Sequence, residues 1–113
     1  MNESCLPELS SEQFTAALAE DALCVIEFYA RWCTPCRMME PVLCELAQEY
    51  AGKVGFFRAD TDKLAEAAEK YGVDTLPCVL FFKNGEVAER ASGAKTKQSL
   101  KNRIDRVLQV QGK

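Results

Sequence analysis

Apolar positions along the chain follow two rhythms. Leu23-Cys24-Val25-Ile26-Glu27-Phe28-Tyr29 is an almost unbroken apolar run with β-branched and aromatic residues, which predicts a buried strand from Leu23 to Ala30. Met39, Val42, Leu43, Leu46, Ala47 and Tyr50 recur at helical spacing and predict a helix from about Thr34 to Ala51, stopped by Gly52. Val54 to Ala59 reads as a second strand. A whole helix separates it from the first, so the two should run parallel with a right-handed crossover. Asp62 to Tyr71 predicts a helix with Leu64, Ala65, Ala68 and Tyr71 on its buried face and Gly72 as its stop. Cys78 to Phe82, the turn Asn84-Gly85 and Glu86 to Ala91 predict an antiparallel hairpin. Ahead of the first strand, Ser10-x-x-Gln13 has the form of a capping box, opening a short helix through Phe14, Ala17 and Leu18 to about Asp21. Thr96 caps a last helix whose Leu100, Ile104, Val107 and Leu108 stripe packs into the core. The order α, β, α, β, α, β, β, α implies an α/β fold with a mixed central sheet flanked by helices, one domain over residues 1–113 with a loose tail at residues 1–8.

Composition narrows the function. With 113 residues, 48% of them hydrophobic, the chain can bury one real core and has no room for a second domain. A net charge of −3 and basic residues that form no patch argue against nucleic acid as a partner, leaving proteins. The first residues lack a basic region followed by an apolar run, and no stretch approaches a membrane span, so the default expectation is a cytoplasmic protein without membrane contact. In a reducing compartment most of the six cysteines should be free thiols. Helical phase puts Cys44 on the exposed side of its helix, whereas Cys24 and Cys78 should be covered.

Trp32-Cys33-Thr34-Pro35-Cys36 is where unusual residues cluster. The pair lies between a strand and a helix, with Cys33 at or before the first turn. There, unpaired N–H groups and the dipole favour an anion, and Pro35 suits the first helical positions. A thiolate at Cys33 is therefore stabilised. Two cysteines so spaced can close a small disulfide ring, the outer one accessible and the inner one covered, which makes a reversible two-electron switch. Structural zinc is the competing reading, but it needs two further ligands, and the chain has no histidine and no second close cysteine pair.

Phe28 to Met38, together with Pro41, Lys70-Tyr71-Gly72-Val73, Leu76-Pro77, Phe81 to Glu86 and Gly93-Ala94, resembles the thioredoxin family over nearly the whole chain, from about Phe14 to Leu108. The resemblance implies the thioredoxin fold and a protein disulfide reductase, with Cys33 as nucleophile and Cys36 as the thiol that resolves the mixed disulfide. It further implies a cis bond before Pro77 and an apolar docking groove made by Trp32, Leu76, Pro77, Gly93 and Ala94. Glu27 interrupts the central strand, and burying a carboxylate is expensive without a partner or a task. The family typically has aspartate at this position, as a proton acceptor and donor behind the inner cysteine, and lysine at the position of Arg58. Arg58 is thus the expected partner of Glu27. Thr34 stands where the family usually has glycine, so the redox potential need not follow the family's, and Cys78, directly after Pro77, could bring a third thiol close behind the pair.

The expected partners are disulfide-containing client proteins and a separate reductase. The protein should be a monomer that needs no bound cofactor. A more oxidising thiol oxidase or isomerase is the nearest alternative. A module that holds an iron–sulfur cluster through Cys33 and Cys36 in a dimer is an alternative from another class, and an adaptor acting by contacts alone is a third.

Overall fold

A computed structural model describes residues 5–20 and 22–110, with the side chain of Val110 left aside. The elements are α1 (Ser11–Glu20), β1 (Leu23–Tyr29), α2 (Thr34–Glu49), β2 (Gly55–Asp60), α3 (Ala65–Lys70), β3 (Cys78–Lys83), β4 (Glu86–Ser92) and α4 (Lys97–Val110). The expected order is present. The strands form one sheet in the order β2-β1-β3-β4, with β1 and β2 parallel and the other neighbours antiparallel.

The apolar run of β1 is buried along its whole length because it is an inner strand covered on both faces. Alternate residues serve different cores. Leu23 and Val25 pack with Met39, Leu43 and Leu46 of α2 and with Leu100, Ile104 and Val107 of α4. Cys24, Ile26 and Phe28 face the other way, toward Phe14 and Ala17 of α1 and Ala68 of α3.

Local signals act as expected at several ends. Ser10 N donates to Gln13 Oε1 at 2.9 Å and Gln13 N to Ser10 Oγ at 3.2 Å, so the capping box is closed. The helix it opens ends at Glu20, and Asp21 lies outside the described residues. Ser99 N donates to Thr96 Oγ1 at 3.1 Å at the start of α4. The β3–β4 turn places Asn84 and Gly85 at φ of 53° and 86°, the left-handed conformations that this dipeptide favours.

Two expectations are corrected. The third helix begins at Ala65, not Asp62, and Ala65 is exposed. Asp60 Oδ1 accepts from Asp62 N at 2.9 Å and its carbonyl from Lys63 N and Leu64 N, so this side chain holds residues 61–63 as a turn instead of a helical start. The loose tail is also wrong for its described part, since residues 1–4 lie outside it. Arg58 N donates to the Pro7 carbonyl at 2.9 Å and Leu9 N to the Arg58 carbonyl at 3.0 Å, so the segment pairs in parallel with the outer edge of β2. Leu6 is buried in one core and Leu9 in the other, and burial of these two side chains offsets the entropy of ordering the segment.

A disulfide pair at a helix start

At the end of β1 the chain turns sharply: Cys33 N donates to the Ala30 carbonyl at 3.0 Å, and Cys33, in extended conformation, becomes the N-cap of α2. Its Sγ accepts from Cys36 N at 3.2 Å, the bond a serine or aspartate oxygen would accept at this position. A thiolate formed there would meet the same N–H and the positive end of the helix. Cys33 and Cys36 are joined as a disulfide with Cα atoms 5.3 Å apart. Proline occupies the first turn of α2.

The outer cysteine is not the accessible one in this oxidised state: Cys33 is 4% exposed and Cys36 3%. Position distinguishes them instead. Cys33 lines a surface groove of about 570 Å³ with Trp32, Thr34, Pro35, Thr61, Val73, Asp74 and Leu76, and Cys36 does not. Trp32 and Met38 beside the pair are exposed at 70% and 72%, an unusual state for large apolar side chains.

The Leu76–Pro77 bond is cis, as the resemblance implies, and Leu76 packs against the cluster that Cys33 and Cys36 form with Tyr29 and Ala30. Of the five residues expected to form the groove, Trp32 and Leu76 line it. Pro77 is buried, and its carbonyl accepts from Gly93 N at 2.7 Å; Gly93, at φ 84°, and the exposed Ala94 lie outside this groove. Thr61, Val73 and Asp74 were missed. Thr61 follows β2 and binds the Tyr29 carbonyl through both N (2.9 Å) and Oγ1 (3.2 Å). Its position just past the carboxyl end of a parallel strand, where α/β folds gather their sites, was the available signal.

Glu27 is 2% exposed, on the same face of β1 as Val25 and therefore beneath α2. Its Oε2 has no hydrogen-bond partner. Burial, and then the negative charge of Glu40, push its pKa up to about 8 against the opposing effect of Arg58. Arg58 is its cross-strand neighbour in register but does not form the expected ion pair. It reaches Glu40 Oε2 at 2.9 Å and Glu8 Oε1 at 3.5 Å, and its guanidinium lies 4.7 Å from the centre of the Tyr29 ring. A long side chain can place its charge against half-exposed carboxylates at a smaller desolvation cost than against a fully buried one. Asp60, a second buried carboxylate, receives Arg31 Nε at 3.5 Å and so anchors the residue next to Trp32.

The remaining cysteines divide. Cys24 and Cys78 are buried, as expected. Cys78 is not behind the active pair: it packs in the α1/α3 core, whereas Cys33 and Cys36 cluster with Tyr29, Ala30 and Leu76. Burial raises its pKa, with Arg90 Nη1 3.7 Å from Sγ opposing. Cys44 is half-buried and disulfide-bonded to Cys5, so the expectation of an exposed Cys44 and mostly free thiols fails. Ordering of the amino-terminal segment brings the two within reach, which helical phase cannot foresee.

Known proteins agree with this geometry. The thioredoxin family model matches residues 6–106. Thioredoxin M-type, chloroplastic, of Pisum sativum is 43% identical over 84 residues, 74% of this chain and 49% of that protein. Thioredoxin M4, chloroplastic, of Arabidopsis thaliana is 39% identical over 104 residues, 91% of this chain and 54% of that protein. The chain thus spans about half the length of these curated relatives. Among solved structures, oxidised mitochondrial thioredoxin 3 from Saccharomyces cerevisiae superposes with a TM-score of 0.81 at 30% identity, covering 89% of this chain and 94% of the other. The curated relatives are chloroplastic, which overturns the cytoplasmic expectation. Strand order, the disulfide at the start of α2, the cis bond at Pro77 and these similarities converge, and the chain belongs to the thioredoxin family.

Proposed function

We propose that this chain is a thiol–disulfide oxidoreductase that reduces disulfides in client proteins and is itself returned to the dithiol form by a separate reductase. The observation that carries this reading is the Cys33–Cys36 disulfide closed across the N-cap of α2 beside an apolar groove. In the dithiol form, the Cys33 thiolate attacks one sulfur of the client disulfide and displaces the other as a thiolate. Cys36, deprotonated, then attacks Cys33 Sγ, which releases the second client thiolate and closes the ring. Two electrons pass from the pair to the client. The chemistry is complete with these sulfurs, no bound cofactor is required, and a single chain contains both.

Trp32 and Leu76 supply the apolar contact surface, with Pro77, Gly93 and Ala94 shaping the backbone beside it. Thr34 and Pro35 set the geometry of the ring, and Arg58 holds Glu40 and Glu8 in place. Glu27 takes the proton of Cys36. With its pKa near 8, its carboxylate fraction climbs as pH rises through 8, so the resolving step should accelerate across that range.

The test is reduction of a protein disulfide with a dithiol as electron source. Cys33→Ser should abolish catalysis, and Cys36→Ser should accumulate clients bound to Cys33. Stopped-flow resolution of that mixed disulfide should slow in Glu27→Gln and lose its rise near pH 8, while the first attack changes little. Activity equal to the parent in Cys33→Ser removes the assignment. A resolving rate unchanged in Glu27→Gln removes the role of the carboxylate.

A further inference from the structure

The second disulfide is built unlike the first. Cys5 and Cys44 are 39 residues apart in sequence, with Cα atoms 5.9 Å apart, inside the range a disulfide can span. Cys44 lies on α2, so this helix carries one cysteine of each pair besides standing at the active site. Cys5 is exposed, and Cys44 is half-buried against the α2/α4 core. An exposed disulfide sulfur can be attacked by a small thiolate, whereas a covered structural disulfide cannot.

The segment next to Cys5 does not depend on that bond alone. Leu6 is buried, and the Pro7 and Leu9 backbone groups pair with Arg58. None of these contacts involves the sulfurs, so opening the bond removes none of them, and closure between two groups of one chain is intramolecular.

From this arrangement we propose that Cys5 and Cys44 are a second, reversible dithiol–disulfide site, oxidised by a low-molecular-weight disulfide, that locks the amino-terminal segment onto α2 and β2. The exposed Cys5 thiolate attacks the small disulfide, forms a mixed disulfide and displaces one small thiolate. Cys44 then attacks Cys5 Sγ, displaces the second and closes the bond. The small disulfide gains two electrons and the pair loses two. Reduction by excess small thiol runs the same steps backward, beginning at Cys5. This site is independent of the activity assigned to Cys33 and Cys36.

The test uses the whole chain and the glutathione couple as probe. Trypsin separates the two pairs, because Cys33 and Cys36 both fall in fragment 32–37, while Cys5 and Cys44 fall in fragments 1–31 and 38–53. After acid quench and alkylation, oxidised glutathione should convert the reduced protein to a form with fragments 1–31 and 38–53 cross-linked through Cys5, with Cys24 of the same fragment alkylated, as peptide sequencing by mass spectrometry reads out, and reduced glutathione should reverse this in the native protein. Cys44→Ser should leave a single glutathione on Cys5. Amide exchange at Leu9 and Arg58 should slow by about tenfold in the closed form relative to the open one. Two separate glutathione adducts without cross-linking, or a cross-link that opens only in denaturant, would refute a reversible site. Equal exchange at both amides in the two forms would refute the lock. Because fragment 32–37 is scored separately, loss of the activity assigned to Cys33 and Cys36 leaves each of these outcomes readable.

Discussion

The two faces of the sheet are packed by different rules. On the α1/α3 side the core is built around aromatic rings: Phe14 contacts Phe28, Phe82 and Tyr71 with ring centroids 5.9 to 6.1 Å apart, and Tyr71 meets Phe82 at 5.2 Å. On the α2/α4 side the core is mainly aliphatic, yet Glu27 is buried beneath α2 with an unpartnered oxygen. Both faces bury an apolar core, but the second also accepts a destabilising group under the helix that carries the reactive pair, and a cost accepted there points to a task.

The largest effect should come from the aromatic face. Phe14→Ala removes the ring at the centre of that cluster and should cost about 3–5 kcal/mol in denaturant unfolding. The rate of disulfide reduction per folded molecule should stay within about twofold, since none of these rings lines the Cys33 groove. A selective loss of rate would mean that the two faces are coupled.

Glu27 sharpens the contrast, with the opposite sign. Its folded pKa, about 8, lies above its ordinary value of 4.5, so the folded state binds the extra proton between these limits. Stability is therefore undiminished below about pH 4.5, falls as pH rises toward 8, and is reduced by the full amount above that. At pH 7 the penalty is on the order of 3 kcal/mol. Glu27→Gln should recover about 2 kcal/mol of it, the amide still being poorly satisfied, and should flatten the pH profile of the unfolding free energy. The variant should be more stable and slower in resolution, and a variant less stable than the parent at pH 8 would contradict the burial argument.

The smallest effects should not distinguish the faces. Ser10→Ala and Thr96→Ala each remove a helix cap, one on either side of the sheet, and should cost about 1 kcal/mol by chemical denaturation. The two costs should be equal, because each substitution removes one bond accepted by a hydroxyl, from Gln13 N at Ser10 and from Ser99 N at Thr96, while the Ser10 N bond to Gln13 Oε1 survives.

Both faces were legible from the sequence in different degrees. The α2 stripe of Met39, Leu43, Leu46 and Tyr50 is buried as its spacing implies, and so are Leu100, Ile104 and Val107 of α4. The third helix is shorter than its apolar spacing implies because Asp60 takes up the amides of residues 62–64, and a side chain's choice between strand end and turn depends on where the strand stops. Cys33, Cys36, Trp32 and Leu76 come together as expected. Glu27 is buried as expected, but the ion pair with Arg58 that the resemblance implies does not form: the two are neighbours in register, and side-chain length carries the guanidinium on to Glu8 and Glu40.

What the sequence determined by itself is what arises within a few residues: the capping box at Ser10, the Asn84-Gly85 turn, the apolar periods, and a cysteine at a helix start with its partner one turn on. Each depends on backbone sterics and hydrogen bonds that the neighbouring residues settle. Only the tertiary structure decided the rest: that Leu6 and Leu9 tie the amino-terminal segment to β2, that Cys5 meets Cys44 across 39 residues, and that Thr61 and Asp74 share a groove with Cys33. These juxtapositions arise where separate elements meet. Their energies come from burial and ion pairing between groups distant in sequence, and no local period encodes which of several possible partners comes within reach.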